Sequence, residues 1–281
     1  MKTHIKLIIL LVALAFTACE DVIDVDVPTG QTRLVIEGSL DWEKGTTGNN
    51  QTIKLSTSTP YFQTATIPIV TGASVKVTNI DTNQEFIFID QNDGTYTISN
   101  FVPIIGNTYN LEVIHNNETY TATETLTAVS EINSVTQSLE GGFDDELLEV
   151  NVYFDDPADE DNFYLFSFYE QGDLFSTIED LSDEFVNGNE IHNFFEKDDD
   201  DDNDQAPFQA GDIVDIQLYG ISEGYYNYVR ILIEQYYGGG DPFSSTAAEV
   251  RGNCINETNS DNYAYGYFRV TEVVKTSYTF E

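Results

Sequence analysis

Residues 73–99 read ASVKVTNIDTNQEFIFIDQNDGTYTIS, and this stretch decides the fold. Val75 and Val77 alternate with polar neighbours from Ala73 to Thr78, the period of a half-buried strand. Asp81, Thr82 and Asn83 supply turn chemistry that leads into Glu85 to Asp90, and Asn92, Asp93 and Gly94 precede Thr95 to Ser99. The flanks repeat the rhythm. Ile53 and Leu55 alternate within Gln51 to Ser56. Tyr109, Leu111 and Val113 alternate with Asn110, Glu112 and Ile114, and Asn116 and Asn117 lead to Thr119 to Leu126. Short strands at regular spacing without a helical period predict an antiparallel β-sandwich domain over 31–128.

The second half, 129–281, predicts a β-rich domain with one helix. Leu148, Val150, Val152 and Phe154 alternate with polar residues until Asp155, Asp156 and Pro157 stop the strand, and Asn162 to Tyr169 begins another. Val214, Ile216 and Leu218 mark a further strand. The helix is expected near 222–237, with Ser222 as its cap, Tyr225, Val229, Leu232, Ile233 and Tyr236 as its buried stripe, and Gly238 to Gly240 as its end. Tyr263 to Phe280 supplies the closing strand or strands. The fold class is thus mainly β, with a single helix in the second half.

The N-terminus carries an address. Lys2 and Lys6, the apolar run Leu7 to Phe16, and the small Thr17 and Ala18 read as a lipoprotein signal peptide over 1–18. A bilayer span needs ~20 apolar residues, so this run is expected to be cleaved. Cys19 is then the lipidation site, partnered with the bilayer through its acyl chains. An acidic, valine-rich tether, 19–30, follows. Its acidic pair, Glu20 and Asp21, resembles the export signal of surface lipoproteins in Bacteroidota, which implies the outer face of the outer membrane.

The chain has 11 Lys and Arg against 49 Asp and Glu, a net charge of −38, so nucleic acid is excluded as a partner. With Cys19 committed to lipid, Cys254 has no cysteine to pair with and reads as a small buried apolar residue. Residues 140–204 hold 24 of the 49 acids and one base, Lys197. Within them Asp198, Asp200, Asp202 and Asp204 stand at alternate positions and can converge on calcium, the one cofactor the sequence suggests. The match to an EF-hand loop is incomplete, and a solvated acidic loop is the plainer reading. No catalytic triad spacing, zinc motif, phosphate loop or dinucleotide fingerprint is present, so the chain reads as a non-enzyme. Tyr226 and Tyr237, off the apolar stripe of the helix, and Phe243 beyond it are the candidate contacts for a ligand or partner.

Two resemblances add to this. Val70 to Val77 followed by Asp93, Gly94, Thr95 and Tyr96 resembles the immunoglobulin-like or transthyretin-like modules of secreted bacterial proteins. Asp241, Pro242 and Phe243, then Val250 to Asn253, then Gly266, Tyr267 and Phe268, resemble the closing pattern of a family of Bacteroidota lipoproteins known as domain of unknown function 4249. That resemblance implies an accessory or ligand-capture subunit beside a TonB-dependent transporter in the outer membrane, exposed on the cell surface and engaged in nutrient uptake. The alternative is a calcium-stabilised structural or adhesive surface module.

Overall fold

The computed structural model describes residues 30–60, 67–158, 160–198, 206–237 and 249–281. The signal peptide, Cys19, Glu20, Asp21 and all but the last residue of the tether lie outside the described residues.

The described residues form fifteen strands and one helix. In chain order they are β1 (Leu34–Glu43), β2 (Gln51–Thr57), β3 (Ser74–Asn79), β4 (Gln84–Asp90), β5 (Thr95–Ile98), β6 (Thr108–His115), β7 (Glu118–Thr125), β8 (Ile132–Ser138), β9 (Glu149–Asp155), β10 (Phe163–Glu170), β11 (Thr177–Ser182), β12 (Glu190–Glu196), β13 (Ile213–Ile221), α1 (Glu223–Tyr237), β14 (Ile255–Asn256) and β15 (Tyr265–Thr279). The mainly β expectation with one helix is met. The turns follow the sequence chemistry: Asn83, Asn92, Asn116 and Asn117 all take left-handed backbone, the conformation that asparagine tolerates best among residues with a side chain.

The strands form a twelve-stranded sheet in the order β11-β10-β13-β15-β1-β2-β5-β4-β3-β6-β7-β14 and a separate sheet β12-β9-β8. The first core gathers the inward residues of β1 to β7, among them Ile36, Leu40, Ile53, Val77, Phe86, Tyr96, Tyr109 and Leu111, each at most 1% exposed. β4 pairs with β3 through Val75↔Phe88 and with β5 through Ile89↔Thr97, so one strand joins the two layers. The second core lies between β10, β13 and β15 on one side and β12-β9-β8 on the other, filled by Val150, Val152, Phe154, Phe166, Phe168 and Ile216. Each of these phenylalanines contributes about 2–3 kcal/mol by leaving water. α1 covers the opposite face of β10 and β13, where Leu165, Tyr219, Ile221, Val229 and Val273 make a third cluster.

β15 runs through both halves. It pairs in parallel with β1, from Val35↔Tyr265 to Glu43↔Val273, and antiparallel with β13, from Ile213↔Thr279 to Tyr219↔Val273. Strand alternation places Phe268, Val270, Glu272, Val274 and Tyr278 on one face. Phe268 and Val270 enter the first core, and Val274 and Tyr278 pack on the second. Glu272 stands between them, 4% exposed. Its carboxylate accepts from Val129 N at 3.0 Å and faces Lys44 Nζ at 3.4 Å, while Lys44 donates to Val129 O at 2.5 Å. The connection between the halves is thereby fastened to the middle of β15, where Glu272 N also donates to Thr127 O at 3.0 Å. Assigned by core instead of by sequence order, Cys254, Ala264, Phe268 and Val270 go with residues 34–126.

Candidate functional site

A groove on the described surface gathers aromatic, amide and charged side chains. It holds about 500 Å³ between the first turns of α1, the segment 249–253 and Tyr267 of β15. α1 begins where the sequence places it: Ser222 Oγ accepts from Tyr225 N at 3.2 Å, so the cap satisfies one of the free amides of the first turn. From that start Tyr225 and Tyr228 project toward β15, and both rings lie 4.9 Å from the ring of Tyr267. Such tilted and edge-on ring pairs contribute about 0.5–1.5 kcal/mol beyond their area. Burial pushes the Tyr228 hydroxyl up to about 12, and burial with the nearby Glu124 raises that of Tyr267.

The opposite wall is a loop that imitates a strand. Asn253 Nδ2 donates to Phe268 O at 2.7 Å and Phe268 N donates to Asn253 Oδ1 at 2.9 Å, so one side chain pairs with the backbone of β15. Next to it Glu249 accepts from the hydroxyls of Tyr263 and Tyr265 and from Arg251 Nη2 at 3.0 Å. The Tyr263 hydroxyl first, then Arg251 and Tyr265, hold this exposed carboxyl down at about 2. Arg33 Cζ lies 3.5 Å and Arg251 Cζ 3.7 Å from the centre of the Tyr263 ring. Two guanidinium groups that close must occupy opposite faces of the ring. The groove therefore offers tyrosine faces, the amide of Asn227 and a clamped ion pair, a lining suited to reversible binding of a polar ligand. A second depression, of about 740 Å³, lies over the outer face of β4 and β5, where Ile87 and Ile89 are exposed.

The residues singled out from sequence are scattered. Tyr237 is 64% exposed, with its ring edge-on to that of Tyr236. Tyr226 is instead a packing residue: it is half-buried, 5.0 Å from the ring of Phe163, and belongs to the third cluster. Leu232 and Tyr236, expected on the buried stripe, are exposed. The buried arc of α1 centres on Val229 with Tyr225, Tyr226 and Ile233 beside it, and the last turn gains little cover from the sheet. Phe243 lies outside the described residues, as do Asp200, Asp202 and Asp204 of the calcium candidates. Asp198 is exposed at the start of that run. Lys197, just before it, is buried and donates to Glu170 at 2.5 Å and Asp173 at 3.0 Å, so its charge is spent on β10 and the turn after it. In the turn that ends β9, Asp156 is buried and accepts from the Tyr164 hydroxyl at 2.5 Å and Gly188 N at 2.9 Å, a structural role.

The signals missed from sequence are Tyr228, Tyr267 and Asn253. Tyr267 and Asn253 lie inside the closing pattern already noted, so the residues were visible while their meeting place was not.

Cys254 is buried in the first core. Burial pushes its thiol up to about 12, against an ordinary 9.0. The thiolate is the reactive form, so the folded protein is expected to resist iodoacetamide near pH 8 and to be labelled fully in denaturant. As pH rises above 9.0 the unfolded thiol ionises while the folded one stays neutral, so the stability this residue contributes is lost between 9.0 and about 12. Mass spectrometry of native and unfolded samples checks the first point; full labelling of the native chain would contradict the burial.

Fold and groove together define a mainly β protein that carries a shallow polar-aromatic groove on its C-terminal strand. The chain belongs to the family described as "Domain of unknown function (DUF4249)", whose profile matches residues 20–277. A search of curated proteins finds no match. Among solved structures, the FN1-FN3 domains of chicken CNTN1 are similar at 10% identity and a TM-score of 0.26, over 66% of this chain and 59% of that one. A DUF4785 family protein (lpg0956) from Legionella pneumophila is similar at 11% identity and a TM-score of 0.25, over 68% of this chain and 52% of that one.

Proposed function

We propose that this chain is a lipid-anchored protein of the outer membrane, exposed on the cell surface, that works beside a TonB-dependent transporter and helps to capture a nutrient for it. The observation that carries the reading is family membership over 20–277, beginning one residue after the expected lipidation site at Cys19. Within the closing family pattern, Val250 to Asn253 and Tyr267 line the groove beside α1. That is support for a shared binding surface there. Sugars and peptides are the ligand classes that tyrosine faces flanked by amides accommodate best.

An affinity-tagged, lipidated chain extracted from solubilised outer membranes is expected to bring a β-barrel transporter with it. Recovery of the intact, membrane-bound chain with no transporter would sink the docking reading. A Cys19→Ala variant should leave the membrane fraction, since the acyl chains would be gone.

A further inference from the structure

Glu149, on β9, is fully buried, yet half of its carboxylate has no partner. Oε1 accepts from the Ser138 hydroxyl, from Gly141 N at 2.8 Å and from Asn151 Nδ2 at 3.4 Å, whereas Oε2 accepts from nothing among the described residues. A buried carboxylate oxygen left this way has given up its hydration with nothing in return. Directly opposite, in the β9–β12 register, stands Glu196. Its oxygens accept from Phe143 N at 3.0 Å, in the loop that joins β8 to β9. Gly142 of that loop covers both carboxylates. A Cβ at this glycine would collide with Glu196 Oε2 and lie 3.4 Å from Glu149 Oε2, so both acidic oxygens lie within 3.4 Å of one point beside the loop.

Like charges directly opposite in a sheet repel. The loop adds Asp144 and Asp145, and no Lys or Arg occurs between residues 77 and 196 to offset them. Burial works to raise the Glu149 pKa, but the Ser138, Gly141 and Asn151 donors outweigh it and hold the carboxyl below its ordinary value, so the group stays charged at neutral pH.

We infer that Glu149 and Glu196 bind a divalent cation, calcium, beneath the loop between β8 and β9. Calcium takes six to eight oxygen ligands and accepts irregular geometry. Among the described residues no three acidic, His or Cys side chains converge as a complete cage. Water would complete the shell, as in extracellular modules that bind calcium at about 10⁻⁴–10⁻³ M. The proposal uses residues other than the Asp198–Asp204 run and does not rest on the proposed function.

The test is calorimetric titration of the full chain with calcium after chelation, paired with thermal melts. Three variants are compared with the parent: Glu149→Gln, Glu196→Gln, and a fourfold Asp→Asn change at 198, 200, 202 and 204. Expected are binding and a rise in melting temperature in the parent and in the fourfold variant, because a ligand held only by the folded state stabilises it. Affinity should fall at least about tenfold in each glutamine variant, as the loss of a charged oxygen ligand from a weak site implies. Glu196→Gln keeps the test open should Glu149→Gln fail to fold. Absence of any heat or melting shift up to about 10 mM calcium, far above the range of such modules, would overturn the assignment. So would binding that survives both glutamine changes, or binding that disappears only in the fourfold variant.

Discussion

Gly266→Ala is expected to destabilise the protein by about 4 kcal/mol, a large share of the ~5–15 kcal/mol that separates most folded domains from their unfolded chains. Gly266 sits second in β15 at φ +90°, a backbone state that L side chains rarely adopt. Holding alanine there costs about 1–3 kcal/mol. The larger problem is contact. A Cβ would stand closer to Ile36 O than any real contact allows, and 2.8 Å from Ile36 C, both backbone atoms of β1. Ile36 is the residue paired with Gly266, so the methyl group would push the parallel β1–β15 ladder apart where it starts. Gly106→Ala is the control, since Gly106 has φ +77° but open space around its Cα. Urea denaturation should show a modest loss for Gly106→Ala and a much larger one for Gly266→Ala. Equal losses would mean that the close approach of the two strands contributes nothing.

Arg269→Leu is expected to cost about 3 kcal/mol. The Arg269 guanidinium is nearly buried on the outer face of β15, forked onto Asp41 of β1 through Nε–Oδ1 at 3.2 Å and Nη2–Oδ2 at 3.0 Å. The rings of Tyr219 from β13 and Tyr225 from α1 lie 4.9 Å and 4.8 Å from its Cζ. Burial works against the charge, but Asp41 first, then Tyr225 and Tyr219, raise its pKa above that of a free guanidinium. Removing one member of a buried pair costs about 3–5 kcal/mol because the other is stranded. Asp41 keeps 30% of its side chain exposed, which places the value at the low end. A double change, Arg269→Leu with Asp41→Leu, should recover part of the loss, as the stranded charge is gone. A single variant that unfolds at the same urea concentration as the parent would refute the role.

The strands were legible because their signals are local. Val75, Val77, Tyr109 and Leu111 are buried as period-two alternation requires, and the asparagines at 83, 92, 116 and 117 mark the turns by their tolerance of left-handed backbone. The start of α1 was legible for the same reason, through Ser222. What failed was anything set by residues far apart in the chain. The period of the helix puts Tyr226 off the apolar stripe, but Phe163 on β10 is what covers it. Glu149 occupies an outward position in a strand whose alternation is otherwise simple. The loop over it, Glu140 to Leu148, carries no periodic signal that would reveal the lid. The groove needed Tyr267 to meet Tyr228, and that meeting depends on a strand pairing between residues more than two hundred positions apart.

β15 also sets the order in which the molecule becomes complete. Synthesis delivers residues 31–126 early, but one edge of β1 and the places of Ala264, Phe268 and Val270 in the first core stay vacant until the last strand emerges. Until then β1 has an open row of amides and carbonyls available to any other chain. A contact made across most of the sequence is slow to form, because the loop it closes must be ordered first. Both cores thus share a single late closing step, and a nascent chain that stalls before residue 265 is left with two unfinished interiors instead of one.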